Sequence, residues 1–118
     1  MIIVYLILAA IVFVLGYKAT IYYFDQKIEK LSSCLTEKGV VFYGADWCDN
    51  CKLQRQLFKK HMAGINYVEC SVDNGLPQAT ECAEKKIVKY PTWLQNDDKR
   101  VEGVMKLKTL AREFGCQY

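Results

Sequence analysis

The sequence VVFYGADWCDNCK at residues 40–52 carries the two features on which the interpretation of the whole chain depends. Its first part is a run of β-branched and aromatic residues, which is typical of a buried strand. A turn of small residues follows, and then Cys48 and Cys51, which are separated by two residues. Beyond them, apolar residues recur four positions apart, as in an amphipathic helix. These pairs are Leu53 with Leu57 and Phe58 with Met62. The pattern predicts a strand that delivers a Cys-x-x-Cys pair to the start of a helix.

The position of the cysteine pair at a helix start has chemical consequences. The unpaired backbone N–H groups and the helix dipole favour negative charge there, and the thiolate is the reactive form of cysteine. Cys48, at the very start, is therefore expected to be the exposed nucleophile. Cys51 lies almost one turn further along, where it can attack a mixed disulfide formed on Cys48.

Three blocks of this sequence resemble the thioredoxin superfamily, and more narrowly the thioredoxin-like domains attached to vitamin K epoxide reductase homologues. The blocks are FYGADWCDNC at 42–51, YVEC at 67–70 and YPTW at 90–93. The resemblance covers roughly residues 40–116. It implies a thioredoxin-like α/β fold, with a central mixed sheet flanked by helices, and thiol–disulfide oxidoreductase activity with Cys48 and Cys51 as the catalytic residues.

The resemblance also implies a substrate-binding region next to the cysteine pair. It implies that the Tyr90–Pro91 peptide bond is cis and that the neighbouring backbone can pair with an extended substrate. The alternative is an ordinary trans proline that begins an edge strand. The residues expected to contact substrate are Trp47, Tyr90, Pro91 and Thr92.

The four remaining cysteines have separate interpretations. The resemblance includes a cysteine pair at Cys70 and Cys82, and a structural disulfide there would stabilise the fold by an amount on the order of 3 kcal/mol in the loop-entropy model. The alternative is a second redox pair that relays electrons. Cys34 and Cys116 could bridge the first and last helices or stay free, since spacing does not decide between these.

The N-terminal segment predicts a membrane anchor. Residues 1–24 contain a single charge, Lys18, and a helix from Ile2 to Phe24 would rise roughly 34 Å, enough to cross a hydrocarbon core of roughly 30 Å. A buried core helix is disfavoured because the segment is apolar on every face. A cleaved signal peptide is the competing interpretation, but it would need a basic start and a small-residue cleavage site. The sequence thus predicts an anchor at 1–24 and a thioredoxin-like domain at 25–118.

Two lines of evidence disagree about the orientation of this anchor. The basic residues near it, Lys18, Lys27 and Lys30, do not precede it, so the positive-inside rule places the domain in the cytoplasm. Six cysteines in 118 residues instead suggest a compartment where disulfides persist. The resemblance also implies an extracytoplasmic domain, in the periplasm or a lumen, and this is the preferred prediction.

The rest of the chain predicts alternating helices and strands, which fits an α/β sandwich around a mixed sheet. The predicted segments are a helix over 21–35 that Gly39 can end, a strand over 65–71, a turn at Asp73-Asn74-Gly75, a short helix over 77–87, strands over 92–95 and 100–105, and a helix over 107–114 before Gly115.

No cofactor or metal is expected. A Cys-x-x-Cys pair is also half of a zinc site, but Cys70 and Cys82 are too widely spaced to supply the usual second half. His61 lies in a lysine-rich segment and is expected to be exposed. A formal net charge of +3 is no signature of nucleic-acid binding.

Two departures from the superfamily pattern affect the mechanism. Many thioredoxins carry a buried acid six positions before the first cysteine. Phe42 occupies that position here, so another group or a water must assist proton transfer at Cys51. Asp49 places a carboxylate beside Cys48, which disfavours the thiolate and predicts a weaker oxidant than the most oxidising relatives.

These observations predict a membrane-anchored thiol–disulfide oxidoreductase. It would pass electrons from the thiols of substrate proteins to a separate vitamin K epoxide reductase-like membrane partner during disulfide formation. The alternatives are an extracytoplasmic disulfide reductase and a non-catalytic binding or chaperone module of thioredoxin fold.

Overall fold

A computed structural model describes residues 1–73, 75 and 77–118. It contains four helices, four strands and one short 3₁₀ segment within that part of the chain. In chain order these are α1 (Ile2–Glu37), β1 (Val40–Gly44), α2 (Asp49–Phe58), the 3₁₀ segment (Lys59–Gly64), β2 (Asn66–Glu69), α3 (Thr80–Glu84), β3 (Thr92–Gln95), β4 (Lys99–Glu102) and α4 (Leu107–Glu113).

The four strands form one mixed sheet in the order β2-β1-β3-β4. Strand β1 runs parallel to β2 and antiparallel to β3, and β3 pairs with β4 as an antiparallel hairpin. Phe42, in the middle of β1, lies opposite Tyr67 of β2 and Trp93 of β3. The predicted fold class, a mixed sheet flanked by helices after a long apolar helix, is confirmed.

Helices cover both faces of the sheet because successive side chains of a strand point to opposite sides. Phe42 packs with Phe58 of α2 and with Trp93 in a core to which α1 and α4 also contribute. Tyr43, the next residue of β1, belongs to a second core with Leu94, Ile87 and the cysteines Cys70 and Cys82. The apolar run of the opening stretch is therefore buried on both sides.

Helix α1 joins the apolar N-terminal segment to the domain without a break. Its first part is long and apolar enough to cross a membrane and is not buried by the rest of the protein. Its last part packs on the sheet through Ile28, Leu31 and Leu35. The boundary predicted between residues 24 and 25 lies within this continuous helix and stays a prediction.

A disulfide fastens the end of α1 to the last part of the chain. Cys34 and Cys116, whose pairing the sequence leaves open, are joined with an S–S distance of 2.04 Å. The bridge closes a separation of 82 residues and joins α1 covalently to the segment that follows α4. The anchor helix and the domain are thus linked both by the chain and by this bond.

Helix α2 is present, but its buried face agrees only in part with the apolar spacing, because Phe58 is buried and Leu53 and Leu57 are exposed. The buried residues are Cys51, Gln54 and Phe58, whereas Leu53 is 52% exposed and Leu57 is 39% exposed. The apolar pattern misleads because a polar side chain, Gln54, is fully buried at the centre of the true inner face.

The ends of several elements also differ from the prediction. Strand β4 ends at Glu102 rather than at residue 105, because Gly103 adopts a φ of +92°, which an extended strand does not permit. Strand β2 and helix α3 are each shorter than predicted. The turn predicted at Asp73-Asn74-Gly75 includes Asn74, which lies outside the described residues.

His61 is not the exposed side chain that the sequence suggests. Its ring Nε2 lies 2.9 Å from Oδ1 of Asp25, and its side chain is only 12% exposed. The hydrogen bond from His61, more than the neighbouring Lys60, lowers the pKa of Asp25 below its ordinary value. This contact connects the 3₁₀ segment to α1.

Candidate active site

The fold places Cys48 at the start of α2, next to the end of the central strand. Strand β1 ends at Gly44, a three-residue turn follows, and Cys48 is the residue that caps the helix. Its Sγ accepts a hydrogen bond of 3.1 Å from the backbone N–H of Cys51. An amide that points at sulfur stabilises negative charge on it, as does the N-terminal end of the helix dipole. The predicted strand–turn–cysteine–helix arrangement is present.

Neither cysteine of the pair is bonded, and the two differ in environment. Cys48 is 7% exposed and Cys51 is fully buried, so Cys48 is the more accessible but far less open than expected. Burial, together with a hydrogen bond to Cys48, raises the pKa of the Cys51 thiol to about 12. Cys51 is therefore protonated at neutral pH.

This difference predicts selective alkylation of the reduced chain. With iodoacetamide between about pH 7 and about pH 9, Cys48 should be modified and Cys51 should remain unmodified, because only a thiolate reacts and Cys51 stays a thiol below its raised pKa. Peptide mass spectrometry after timed quenching measures both sites. Equal modification of the two cysteines would contradict the assignment of Cys51 as the buried, protonated member.

The loop that precedes β3 lies against Cys48. The Tyr90–Pro91 peptide bond is cis, the isomer that the resemblance implies. The carbonyl oxygen of Tyr90 lies 3.7 Å from Sγ of Cys48. Thr92 is fully buried, and its hydroxyl donates to the carbonyl of Lys89, so its side chain does not face the site.

An aromatic pair forms one wall of the site. Trp47 is 65% exposed, and its ring meets that of Tyr90 edge to face, with centroids 5.7 Å apart. An open cavity of about 410 Å³ lies between them and the helix start. It is lined by Trp47, Cys48, Asp49, Asn50 and Tyr90. The structure thus brings Trp47 and Tyr90 together at the sulfur of Cys48, while Thr92 faces inward.

A cluster of three polar side chains, which the sequence analysis missed, lies on the inner side of the cysteine pair. Tyr67 donates a hydrogen bond of 2.5 Å to Glu69, and Arg55 donates to the Tyr67 hydroxyl. The guanidinium carbon of Arg55 lies 4.6 Å from the centre of the Tyr67 ring. No spacing in the sequence connects Arg55 on α2 with two residues of β2, so only the folded chain reveals the cluster.

Gly44 lies between this cluster and Cys51, with the Tyr67 ring and the sulfur of Cys51 both close to it. A methyl group at Gly44 would lie 3.2 Å from Sγ of Cys51 and 3.1 Å from the Tyr67 ring, so a side chain here would force these neighbours to shift. The Tyr67 ring of the cluster and the sulfur of Cys51 therefore both lie against Gly44.

The acid of this cluster is held ionised by its hydrogen bonds. Burial alone would raise the pKa of Glu69, but bonds from the Tyr67 and Ser71 side chains and from the Ser71 and Asp46 backbone lower it below its usual value. Burial, then the bond to Glu69, raises the pKa of Tyr67, so this phenol stays protonated. Glu69 also accepts from the backbone N–H of Asp46 and thereby fixes the turn that carries the cysteines.

The second cysteine pair lies across the sheet from the first. Cys70 and Cys82 are bonded, with an S–S distance of 2.00 Å, and both belong to the core on the α3 face. Cys51 belongs to the core on the opposite face. The backbone N–H of Cys70 donates to the carbonyl of Gly44 at 2.7 Å, so the bridge supports the end of β1. Because the sheet separates the two pairs, this geometry favours a structural bridge over an electron relay.

The fold and the site define a class of domain: a thioredoxin-like α/β sandwich with an unbonded Cys-x-x-Cys pair at a helix start. Over 90 residues the chain is 38% identical to the thiol-disulfide oxidoreductase LTO1 of Arabidopsis thaliana. The match covers 72% of this chain but only 23% of that protein, so the chain spans about a quarter of its relative. No protein-family model matches the chain.

Proposed function

We propose that this chain is a membrane-anchored thiol–disulfide oxidoreductase with Cys48 as nucleophile and Cys51 as resolving thiol. The observation that carries the proposal is the geometry of the pair: Sγ of Cys48 accepts the Cys51 amide at the helix start, and Cys51 is buried with a raised pKa. The similarity to a protein named as a thiol-disulfide oxidoreductase supports the same activity. In this proposal residues 1–24 form the anchor and residues 25–118 the catalytic domain.

The proposed reaction is a two-step exchange of one disulfide. A substrate thiolate attacks Sγ of Cys48 in the Cys48–Cys51 disulfide, which breaks that bond, forms a mixed disulfide and releases the Cys51 thiolate. A second substrate thiol then attacks the substrate sulfur of the mixed disulfide and releases Cys48. The substrate loses two electrons and two protons, and the Cys48–Cys51 pair gains them.

The high pKa of Cys51 makes proton transfer part of this reaction. A leaving thiolate at this buried position must take up a proton, because burial disfavours the charged form and a thiolate of high pKa is a poor leaving group until it is protonated. In this proposal the cluster of Arg55, Tyr67 and Glu69 assists the transfer, because the Tyr67 ring and Sγ of Cys51 both lie against Gly44.

The proposed substrate surface is the wall beside Cys48. Trp47 supplies an exposed aromatic face, and the Tyr90 carbonyl near Sγ of Cys48 is a backbone acceptor for an extended peptide. Pro91 directly follows this carbonyl in the chain, and Thr92 supports the loop from inside through its bond to Lys89. Substrate proteins with cysteine thiols are therefore the proposed clients.

The proposed electron acceptor is a vitamin K epoxide reductase-like oxidoreductase in the same membrane, encoded as a separate chain. The sequence resemblance implies such a partner, and a shared bilayer raises the effective concentration of two anchored proteins. The two disulfides of the structure, Cys34–Cys116 and Cys70–Cys82, support an extracytoplasmic location for the domain.

A redox count in native membranes tests this proposal. Cells are acid-quenched, free thiols are blocked, disulfides are reduced and labelled with a second reagent, and each cysteine is mapped by mass spectrometry. An oxidase is expected to show Cys70 and Cys82 bonded and Cys48 and Cys51 mostly bonded. A reduced Cys48–Cys51 pair beside bonded Cys70–Cys82 would instead show an extracytoplasmic reductase. Six reduced cysteines would contradict the extracytoplasmic location.

The residue next to the nucleophile predicts how oxidising the pair is. Asp49 carries a carboxylate beside Cys48, although its side chain is 96% exposed and lies 3.8 Å from Lys52. Asp49→His should raise the reduction potential of the pair, because removal of the negative charge favours the thiolate form of the reduced state. Equilibration with glutathione buffers measures the potential, with Asn50→His as the matched control. An unchanged or lowered potential in Asp49→His would contradict this account.

A further inference from the structure

Two cavities flank helix α1 where it leaves the domain. One, of about 580 Å³, is lined by Tyr23, Lys27, Lys30, Cys34, Gly115, Cys116, Gln117 and Tyr118. The other, of about 420 Å³, is lined by Phe24, Ile28, Gln56, Leu57, Lys59, Lys106, Leu107, Lys108 and Tyr118. Tyr118 lines both, so the two cavities lie side by side around the helix. They are separate from the cavity at Cys48.

Among the described residues, all the charged side chains that line the two cavities are positive. We call the five lysines of the two cavities the lysine face; they are Lys27, Lys30, Lys59, Lys106 and Lys108. Among the residues that the structure describes, no aspartate or glutamate side chain lines either cavity. Such a surface favours a ligand with several negative charges.

The nearby acids of α1 do not neutralise the lysine face. Asp25 is paired with Lys60 and His61 of the 3₁₀ segment. Glu29 lies two positions after Lys27, about 200° around the helix, so it projects from the opposite side. Among the described residues, neither Lys27 nor Lys30 of α1 forms a salt bridge with a carboxylate.

Apolar and aromatic groups accompany the charges. Phe24 is 47% exposed and Leu57 is 39% exposed. The Nζ of Lys27 lies 4.6 Å from the centre of the Tyr118 ring. Lysines with long apolar stems beside exposed aromatic rings suit a boundary between hydrocarbon and water. The composition of the surface thus matches a membrane interface rather than open solvent.

The position of the face relative to the proposed anchor is the decisive observation. Tyr23 and Phe24 end the apolar segment, and Lys27 and Lys30 belong to the next turns of the same unbroken helix. The lysines of the second cavity lie at the end of α2 and the start of α4. The lysine face is therefore the side of the domain nearest to the anchor.

We propose that the lysine face binds the headgroups of anionic phospholipids in the bilayer that holds α1. This inference rests on the proposed membrane anchor and adds a contact between the domain and the lipid surface. Anionic lipids attract basic residues next to a membrane helix over distances of about a Debye length, roughly 10 Å.

The contact would set the height of the active site above the membrane. Cys48 caps one end of α2, and Leu57 and Lys59 lie at its other end. Ten residues of α2 separate these ends, which corresponds to roughly 15 Å of helical rise. A domain seated on the lysine face holds Cys48 at the end of α2 that is remote from the contact.

Photo-crosslinking of the full chain in lipid nanodiscs tests the proposal. A benzophenone amino acid replaces Leu57, which lines the second cavity, or, as the control position, Val88, which is 77% exposed and follows Ile87 of the core on the α3 face. The nanodiscs contain phosphatidylcholine alone or with about 30% phosphatidylglycerol. Phospholipid adducts are quantified by mass spectrometry.

The expected result is an adduct at Leu57 that rises about fivefold or more when phosphatidylglycerol is present, with little adduct at Val88. About 0.5 M salt should reverse most of this gain. The triple variant Lys59→Gln, Lys106→Gln and Lys108→Gln should also abolish it. The matched variant Lys85→Gln, Lys86→Gln and Lys89→Gln, which changes three lysines around α3, should leave it intact.

Other results would overturn the proposal in distinguishable ways. Alkaline extraction first measures whether the chain is inserted in the nanodisc lipids. An inserted chain whose adduct at Leu57 does not exceed that at Val88, or does not depend on phosphatidylglycerol, would refute the headgroup contact and leave the anchor intact. A chain that is extracted would refute the anchor and, with it, the lipid contact.

Discussion

Cys48→Ser is expected to lower the rate of disulfide exchange with a dithiol peptide by roughly a thousandfold or more. The reason is that Cys48 supplies the only sulfur of the pair with any exposure, while Cys51 is fully buried and protonated. Serine has nearly the same size and can still accept the Cys51 amide, so the fold should be retained. Stopped-flow measurement of peptide oxidation gives the rate.

The matched variant Cys51→Ser should behave differently. Its reduced Cys48 can still attack a peptide disulfide, but no neighbouring thiol resolves the product, so a mixed disulfide on Cys48 should accumulate. Mass spectrometry of acid-quenched samples detects this adduct. If Cys48→Ser kept its exchange rate while still binding peptide, the catalytic assignment would be wrong and a binding module would be the better description.

Phe58→Ala is expected to lower the free energy of unfolding by about 3–5 kcal/mol, whereas Leu53→Ala should change it by less than about 0.5 kcal/mol. Phe58 is fully buried and its ring packs against Trp93 with centroids 5.6 Å apart, so its removal leaves a cavity in the main core. Leu53 is 52% exposed on the same helix and serves as the matched control.

Unfolding by denaturant in detergent micelles, followed by the fluorescence of buried Trp93, measures both variants. The comparison separates the two possible faces of α2. A loss for Leu53→Ala as large as that for Phe58→Ala, or larger, would contradict the orientation of this helix, in which Leu53 faces solvent.

The central strand and the cysteine pair could be predicted from the sequence because their signals are local. A β-branched run buried on both sides reads as continuous apolar sequence, and a helix start places Cys48 by its position alone. The hairpin of β3 and β4 has the same kind of signal. These elements are the ones that hold the site, so most of its geometry was within reach of the sequence.

The features that the sequence missed depend on contacts between distant segments. Gln54 is polar, yet it is fully buried because its amide exchanges two hydrogen bonds with the backbone of Met105. A pattern of apolar residues gives no weight to such a side chain, so the apolar spacing identifies Phe58 but not Gln54 on the buried face of α2.

Contacts between distant segments also explain two other features that the sequence did not reveal. The bond between Cys34 and Cys116 depends on where α1 and the chain end meet, which spacing does not fix. Glu69 and Arg55 converge on Tyr67 from β2 and α2, and neither residue is unusual in its own segment. Pairings of this kind are set by the packing of whole elements.

The most direct test of the account is the electron balance of a single turnover. The oxidised full chain in nanodiscs is mixed with an equimolar reduced dithiol peptide, quenched with acid, and mapped by mass spectrometry. The account predicts one peptide disulfide for each Cys48–Cys51 pair reduced, a transient adduct on Cys48 alone, and an intact Cys70–Cys82 bridge. Reduction of Cys70–Cys82 in place of Cys48–Cys51, or no peptide oxidation at all, would contradict it.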